Sequence, residues 1–273
     1  MNFGLIIVGD EILSGKREDK HLSKVIELLA ARGLSLSWAR YVGDDPDRIA
    51  ADVGDALAAA RQGDVVFSCG GIGATPDDHT RQAAARALGV PLALHPIARD
   101  FILERMRDVA AEQGVAFEPD RADNVHRLNM GIFPEGAGII PNPYNKIAGF
   151  SLRPGAGVGG VFFVPGFPVM AWPMIEWVLD TLFAGERRGV VVREKSVIVF
   201  GAMEAALTPL MEDIESRFAP VKVFSLPSVD HPTWGKHIEL GVKGDPAVLD
   251  AAYTALLTGL RVREAQLGPE LVR

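Results

Sequence analysis

Residues Phe3 to Val8 form an unbroken apolar run. A polar stretch from Gly9 to Asp19 follows, then Leu22, Val25, Ile26, Leu28 and Leu29 at helical spacing. The run predicts a strand buried on both faces, and the spacing predicts an amphipathic helix ending at Gly33. The alternation continues with a strand over 34–42, a helix over 46–61, a strand over 64–69 and a helix over 76–88. Strands separated by helices of this length predict a mostly parallel sheet covered on both faces. Residues 95–130 read as helical, with Phe101, Leu103, Met106 and Val109 as the apolar stripe. Short strands are expected at 139–141, 147–152 and 160–164, then a helix over 168–183. The charged stretch 185–194 reads as a boundary. Beyond it the pattern gives strand 196–200, helix 204–218, strands 221–226 and 236–242, and helix 246–260. The expected division is an α/β domain over 1–184, a small βαββα domain over 190–262, and a frayed tail over 263–273.

The 273 residues are 48% hydrophobic and carry a net charge of −7. This balance argues against bulk electrostatic binding to nucleic acid or to a membrane surface. From Pro154 to Ile175 no residue is charged, about the length of a membrane span. Pro165, Pro168 and Pro173 interrupt it, so a strand, a turn and a helix are expected there instead. The N-terminal apolar run is too short for a signal peptide, and the single cysteine, Cys69, fits a reducing compartment. A cytoplasmic protein is therefore expected. The six histidines show no metal-ligand spacing, and Ser68 and Cys69 have no base nearby in sequence.

The strongest chemical signal is Gly70-Gly71-Ile72-Gly73-Ala74-Thr75-Pro76-Asp77-Asp78-His79-Thr80, between a buried strand and a helix. Glycines let backbone N–H groups approach an anion without obstruction by a Cβ. Thr75 reads as an N-cap, Pro76 as the first helical residue, and Asp78 as the third residue of a capping box. That pattern alone would serve merely to cap a helix. Three glycines in four positions at the C-terminal end of a strand favour a ligand site, because open α/β sheets bind ligands at that edge. The segment matches neither the P-loop nor the dinucleotide-binding glycine pattern. Gly9-Asp10-Glu11 follows the first strand, and Gly43-Asp44-Asp45-Pro46 follows the second. Asp10 and Glu11 read equally as a solvated turn or as ligands, and Asp44 or Asp45 reads by itself as the N-cap of the next helix, but on a shared rim beside the glycine loop these carboxylates suggest a divalent cation. Pro141-Asn142-Pro143-Tyr144-Asn145-Lys146 reads first as a turn, with Lys146 as a candidate phosphate contact, and Pro165-Gly166-Phe167-Pro168 reads equally as a plain turn or as backbone brought close to a ligand.

Together these segments resemble the molybdopterin-binding fold of the MogA/MoaB type. Within it they are most similar to the N-terminal region of competence/damage-inducible A (CinA) proteins. The resemblance covers about residues 1–180. It implies a three-layer α/β fold with a pterin or nucleotide-phosphate site on the glycine loop. It also makes the C-terminal βαββα unit similar to a small KH-like domain. That unit has no Gly-x-x-Gly loop between its helix and strand, so RNA is not expected as a partner. The resemblance further implies homo-oligomerisation. It does not extend to the nicotinamide-mononucleotide deamidase domain that ends many such proteins.

In the MogA-like branch two aspartates serve magnesium-dependent adenylylation of molybdopterin. The matching positions are Asp44 and Asp78, expected as catalytic and metal-binding residues. Asp10, Glu11, Gly70, Gly71, Gly73, Thr75, Thr80, Asn142, Pro165 and Gly166 are expected to contact the ligand. In the CinA branch the domain is associated with metal-dependent hydrolysis of ADP-ribose. Four departures from the family pattern stand out: Ala74 replaces a proline, Asn145-Lys146-Ile147 replaces a Gly-Thr-Ala run, Met170 replaces a glutamate, and His21 replaces an asparagine. Two functions follow. One is metal-dependent nucleotidyl or phosphoanhydride chemistry with magnesium or another divalent cation. The other is a non-catalytic carrier or regulatory module for molybdopterin or a nucleotide, which the Met170 and Asn145-Lys146-Ile147 departures favour.

Overall fold

The structure is a computed structural model describing residues 1–155, 157, 159–186 and 193–272. It divides into two compact units, Met1–Arg187 and Arg188–Arg273. The expected boundary stretch falls partly on 187–192, outside the described residues.

The first unit opens with β1 (Phe3–Val8), a single turn α1 (Asp10–Leu13), α2 (His21–Ala30), β2 (Leu36–Val42), α3 (Pro46–Arg61) and β3 (Val65–Cys69). It continues with α4 (Thr80–Leu88), β4 (Leu92–Leu94), α5 (Pro96–Gln113), α6 (Ala122–Arg127), β5 (Ile132–Pro134), β6 (Gly138–Ile140), β7 (Gly149–Leu152), β8 (Gly160–Val164) and α7 (Pro168–Leu182). The main sheet runs β2-β1-β3-β8-β7-β6. β2, β1, β3 and β8 are mutually parallel, while β7 and β6 are antiparallel.

Period-two alternation explains why the apolar strands need cover on both faces. Phe3, Leu5 and Ile7 of β1, Phe67 of β3 and Phe162 of β8 pack with Val25, Leu29, Ile175 and Val178 of α2 and α7. Ile6, Val66, Val161 and Phe163 point to the other face, against Ile49, Val53 and Leu57 of α3 and Ala83 and Ala84 of α4. Three layers result, as the resemblance implied. A column of stacked rings ties the small β4–β5 sheet to this core. Phe133, Phe150 and Phe163 lie at centroid distances of 4.8 and 4.3 Å.

Several expectations need correction. The helix placed over 76–88 begins only at Thr80. The helical stretch 95–130 is two α-helices, and α5 buries Ala98, Ile102, Met106 and Ala110 rather than Phe101, Leu103 and Val109. The polar stretch after β1 contains the turn α1, and the pair β4–β5 was not foreseen. No helix among the described residues is long and apolar enough to cross a membrane.

The second unit contains β9 (Arg193–Phe200), α8 (Glu204–Arg217), β10 (Lys222–His231), β11 (Gly235–Gly244), α9 (Pro246–Val262) and β12 (Gln266–Val272). Its antiparallel sheet runs β10-β11-β9-β12. Val197, Val199, Leu240 and Val242 form its core with Leu210, Leu249, Leu256 and Leu260. The tail expected to fray is instead the edge strand β12. The Tyr253 hydroxyl lies 3.1 Å from Glu270 Oε2 on that strand and 2.9 Å from the Ser196 carbonyl on β9. Pro269 hid this strand, since proline lacks a ladder donor. It falls where the β9–β12 register shifts, between Leu267 and Glu270.

Candidate functional site

β1 pairs with β2 on one side and β3 on the other, which makes the crevice between β1 and β3 a topological switch point. The loops after β1, β2, β3 and β8 leave C-terminal ends of parallel strands, so they meet on one rim. The segment before β7 reaches the same rim because β7 runs antiparallel to β8. A cavity of about 500 Å³ lies there. Its lining includes Glu11, Asp44, Gly70, Gly71, Gly73, Thr75, Asp78, Pro165 and Gly166 from the expected residues. Asp10, Thr80 and Asn142 do not line it.

Those three shape the wall from behind. The Asp10 N–H donates to Asp44 Oδ2 at 2.9 Å, and the Asp44 N–H donates to Asp10 Oδ1 at 3.2 Å. This reciprocal pair locks the β1 and β2 loops together. Asn142 Nδ2 donates to Asn145 Oδ1 and to the Ile147 carbonyl, and Asn142 Oδ1 accepts the Tyr144 N–H. It organises the loop that carries Asn145 and Ile147 to the cavity. Thr80 is fully buried. Its hydroxyl donates to the Gly70 carbonyl and its N–H to the Gly71 carbonyl, both at 3.0 Å.

The glycine loop is built from its carbonyls upward. Gly70 and Gly71 have φ of 108° and 68°. A Cβ on Gly70 would overlap the Val8 carbonyl, and one on Gly71 would overlap the Thr80 hydroxyl. The carbonyls of Gly70 and Gly71 are held by Thr80, and that of Gly73 by the Arg81 guanidinium at 2.5 Å. In a trans peptide the N–H points opposite to the carbonyl. Fixing these three carbonyls therefore turns the N–H groups of Gly71, Ile72 and Ala74 the other way. Among the described residues no acceptor takes the N–H of Gly71, Ile72, Gly73 or Ala74. Successive free N–H groups in such a loop form an anion-binding concavity.

Thr75 and Asp78 interact as their spacing predicts, but within a separate turn. Asp78 Oδ2 accepts the Thr75 N–H at 2.8 Å and its hydroxyl at 2.5 Å. The pair closes the turn 75–78 ahead of α4, and among the described residues Asp78 Oδ1 has no hydrogen-bond partner.

The charges at the rim are unbalanced. Burial raises the Asp44 carboxyl above its ordinary value, with the charges of Asp10, Glu11 and Asp77 adding to the rise. The Asp10 N–H acts against them. Among the described residues no group of three or more His, Cys, Asp or Glu side chains is arranged to hold a metal ion. Arg17 lies 5.7 Å over the ring of Phe167 at the cavity wall. His21 is buried and its Nε2 lies 3.0 Å from the Gly166 carbonyl, which ties α2 to the Pro165-Gly166 turn. Met170, at the position of the family's glutamate, accepts from Asn145 Nδ2 at 3.2 Å and lines the cavity. Sequence reading passed over Arg17, Phe167 and Arg81. Arg81 directly follows Thr80, so its place at the start of α4 was the one available signal.

Replacing Thr80 by valine tests the loop support with little change in shape. Losing a buried hydroxyl donor is expected to lower stability by about 1–2 kcal/mol in urea titration. Affinity for a phosphate ligand is expected to fall several-fold as the Gly70 carbonyl loosens. Unchanged values for both would show that the hydroxyl does not hold the loop.

An open α/β sheet with a glycine loop at its switch point defines a class of proteins that bind anionic ligands at this edge. The comparisons narrow this class. Residues 4–184 match the family model described as "Probable molybdopterin binding domain", and the chain belongs to that family. A CinA-like protein of Geobacter sulfurreducens is 33% identical over 79% of this chain and 49% of its own length. One from Geobacter metallireducens is 31% identical over 100% of this chain and 61% of its own. The chain thus spans about half the length of the curated CinA-like relatives it matches. A crystal structure of the protein CinA with unknown function from Thermoplasma acidophilum aligns with a TM-score of 0.53 and 25% identity. It covers 67% of this chain and 99% of that one.

Proposed function

We propose that the first unit binds a phosphorylated pterin or nucleotide, with its phosphate on the glycine loop and its ring system toward Phe167 and Met170. The observation that carries this reading is the set of free N–H groups on Gly71, Ile72, Gly73 and Ala74 at the cavity. Glu11 and Asp44 would face the polar edge of the ligand, with Thr75, Pro165 and Gly166 as the remaining wall. Family membership supports a pterin, since the matched domain is described as molybdopterin-binding.

A divalent cation such as magnesium fits the acidic side when it arrives with the ligand. Magnesium is usually held by one or two carboxylates together with substrate phosphates. Asp44 and Asp78 each keep a free carboxylate oxygen, and the repulsion at Asp44 is what a cation would relieve. When bound, the cation would neutralise charge building on phosphate oxygens. The chain's own part is to hold the phosphate on loop N–H groups and to orient it for attack at phosphorus. This is the reading as a nucleotidyltransferase or pyrophosphatase. The carrier reading is favoured by Met170, which gives the wall a thioether where the family carries a carboxylate.

A thermal-shift series with ATP, AMP, ADP-ribose and a molybdopterin source, each with and without magnesium, tests the proposal. A ligand that binds the native state raises its melting temperature by mass action. A magnesium-dependent rise with product formation supports catalysis, and a rise without turnover supports the carrier. No rise with any of them overturns the phosphate-cradle reading.

A further inference from the structure

Arg81 is 5% exposed, yet it makes no ion pair among the described residues. Its guanidinium donates to two carbonyls, those of Gly73 at 2.5 Å and Ile132 at 3.5 Å, and its buried Nε has no partner. Guanidinium stays charged in proteins, and a buried unpaired charge is unfavourable unless something compensates it. Burial lowers the pKa of Arg81, with the charge of Asp78 only partly opposing this. Arg81 holds the Gly73 carbonyl, but a neutral donor could do so without the cost of burying a charge, so the charge itself calls for a further account. Its position supplies one. The Gly73 carbonyl that it grips belongs to the same peptide unit as the Ala74 N–H, one of the free donors at the cavity. A cation on the carbonyl oxygen polarises that unit and strengthens the N–H as a donor. The positive charge also sits directly beneath the loop, on the side opposite the ligand.

We propose that Arg81 is a positioning residue whose buried charge is completed by the ligand's phosphate, acting through the Gly73–Ala74 peptide. This rests on the phosphate-cradle reading above and sharpens it. The group selected is a multiply charged phosphate, a phosphomonoester dianion or a diphosphate, in preference to a singly charged ester.

The test uses ADP and inorganic pyrophosphate as probes in isothermal titration with the full chain. The proteins compared are the wild type, Arg81→Met and Arg81→Lys. The Met variant is expected to melt no lower than the wild type without ligand, because it removes an unpaired buried charge. Its dissociation constants for both probes are expected to rise at least tenfold, as the Gly73–Ala74 peptide loses the charge that polarises it. The Lys variant keeps the charge and is expected to recover most of the affinity. A wild type that binds neither probe overturns the cradle reading, and the role of Arg81 falls with it. A wild type that binds, with a Met variant that binds equally well, overturns the role of Arg81 alone. A Met variant that melts lower, or a Lys variant as weak as Met, makes Arg81 a strut for the loop and overturns the charge argument.

Discussion

Gly70→Ala is expected to destabilise the first unit by about 2–4 kcal/mol and to weaken phosphate binding at least a hundredfold. Two independent effects add at this position. Gly70 has φ of 108°, which L-residues rarely adopt, and that strain alone amounts to about 1–3 kcal/mol. The new Cβ would also overlap the Val8 carbonyl. That atom belongs to the central strand β1, buried on both faces and paired with β2 and β3, so it has little freedom to give way. The loop must move instead. Moving it releases the Gly70 carbonyl from Thr80 and turns the Gly71 N–H out of the cavity. Gly63 provides the control. Its φ is 99°, but a Cβ there meets nothing within 4 Å. Gly63→Ala should show the strain alone and leave binding intact. Urea titration and calorimetric titration with ADP on both variants separate the two effects. Equal binding by Gly70→Ala and the wild type would show that the loop does not hold the phosphate.

The contrast between these two glycines also shows what could be read from the chain. Gly70 ends a buried strand and opens a run of three glycines in four positions, whereas Gly63 follows the exposed helix end Arg61-Gln62, so the chain marks the first for a site and the second for a plain turn. The expected strands were readable because strands buried on both faces are continuous apolar runs, as in Phe3–Val8 and Gly160–Val164. The rim was readable because parallel strands place all their C-terminal loops on one edge. The start of α4 was not. Thr75 and Asp78 have the spacing of a helix cap, and one of the two bonds of a capping box forms, from the Thr75 N–H to Asp78. However, the Thr75 hydroxyl donates to Asp78 instead of accepting its N–H, and Thr80 donates its N–H to the Gly71 carbonyl, so the chain turns back once before the helix begins after His79. That Thr80, Asn142 and Asp10 bond backbone beside the cavity and do not line it was hidden for a related reason. Motif position shows that a side chain is near a site, but not whether it faces the ligand or the backbone that surrounds it. Arg81 was missed because a charged residue in a helix pattern normally reads as a solvated face. Only burial without an ion pair marks it out.

Asp44→Asn is expected to remove the magnesium-dependent part of ligand affinity, a loss on the order of a hundredfold, while making the unliganded protein more stable at neutral pH. The amide still accepts the Asp10 N–H, so the link between the β1 and β2 loops survives. What disappears is a negative charge held partly out of water beside Asp10, Glu11 and Asp77. The pH dependence follows in sign. The Asp44 carboxyl is raised above 3.8 in the folded protein, mainly by burial. Just above pH 3.8 the folded protein therefore binds more protons than the unfolded chain. Stability falls as pH rises through that window, and the deficit then persists to neutral pH. Solvent screening limits the deficit, because Asp44 is only partly buried. The difference in stability between variant and wild type should accordingly be absent below pH 3.8, grow through the window and level off above it. Magnesium together with ADP should cancel it in the wild type by placing a positive charge against the carboxylate. Urea titrations of both proteins from pH 3.5 to 7.5, with and without magnesium and ADP, measure each part. A magnesium response retained by Asp44→Asn would move the cation to other ligands. A variant less stable than the wild type at pH 7 would mean that Asp44 holds the loop mainly through its hydrogen bond, with its charge of little consequence.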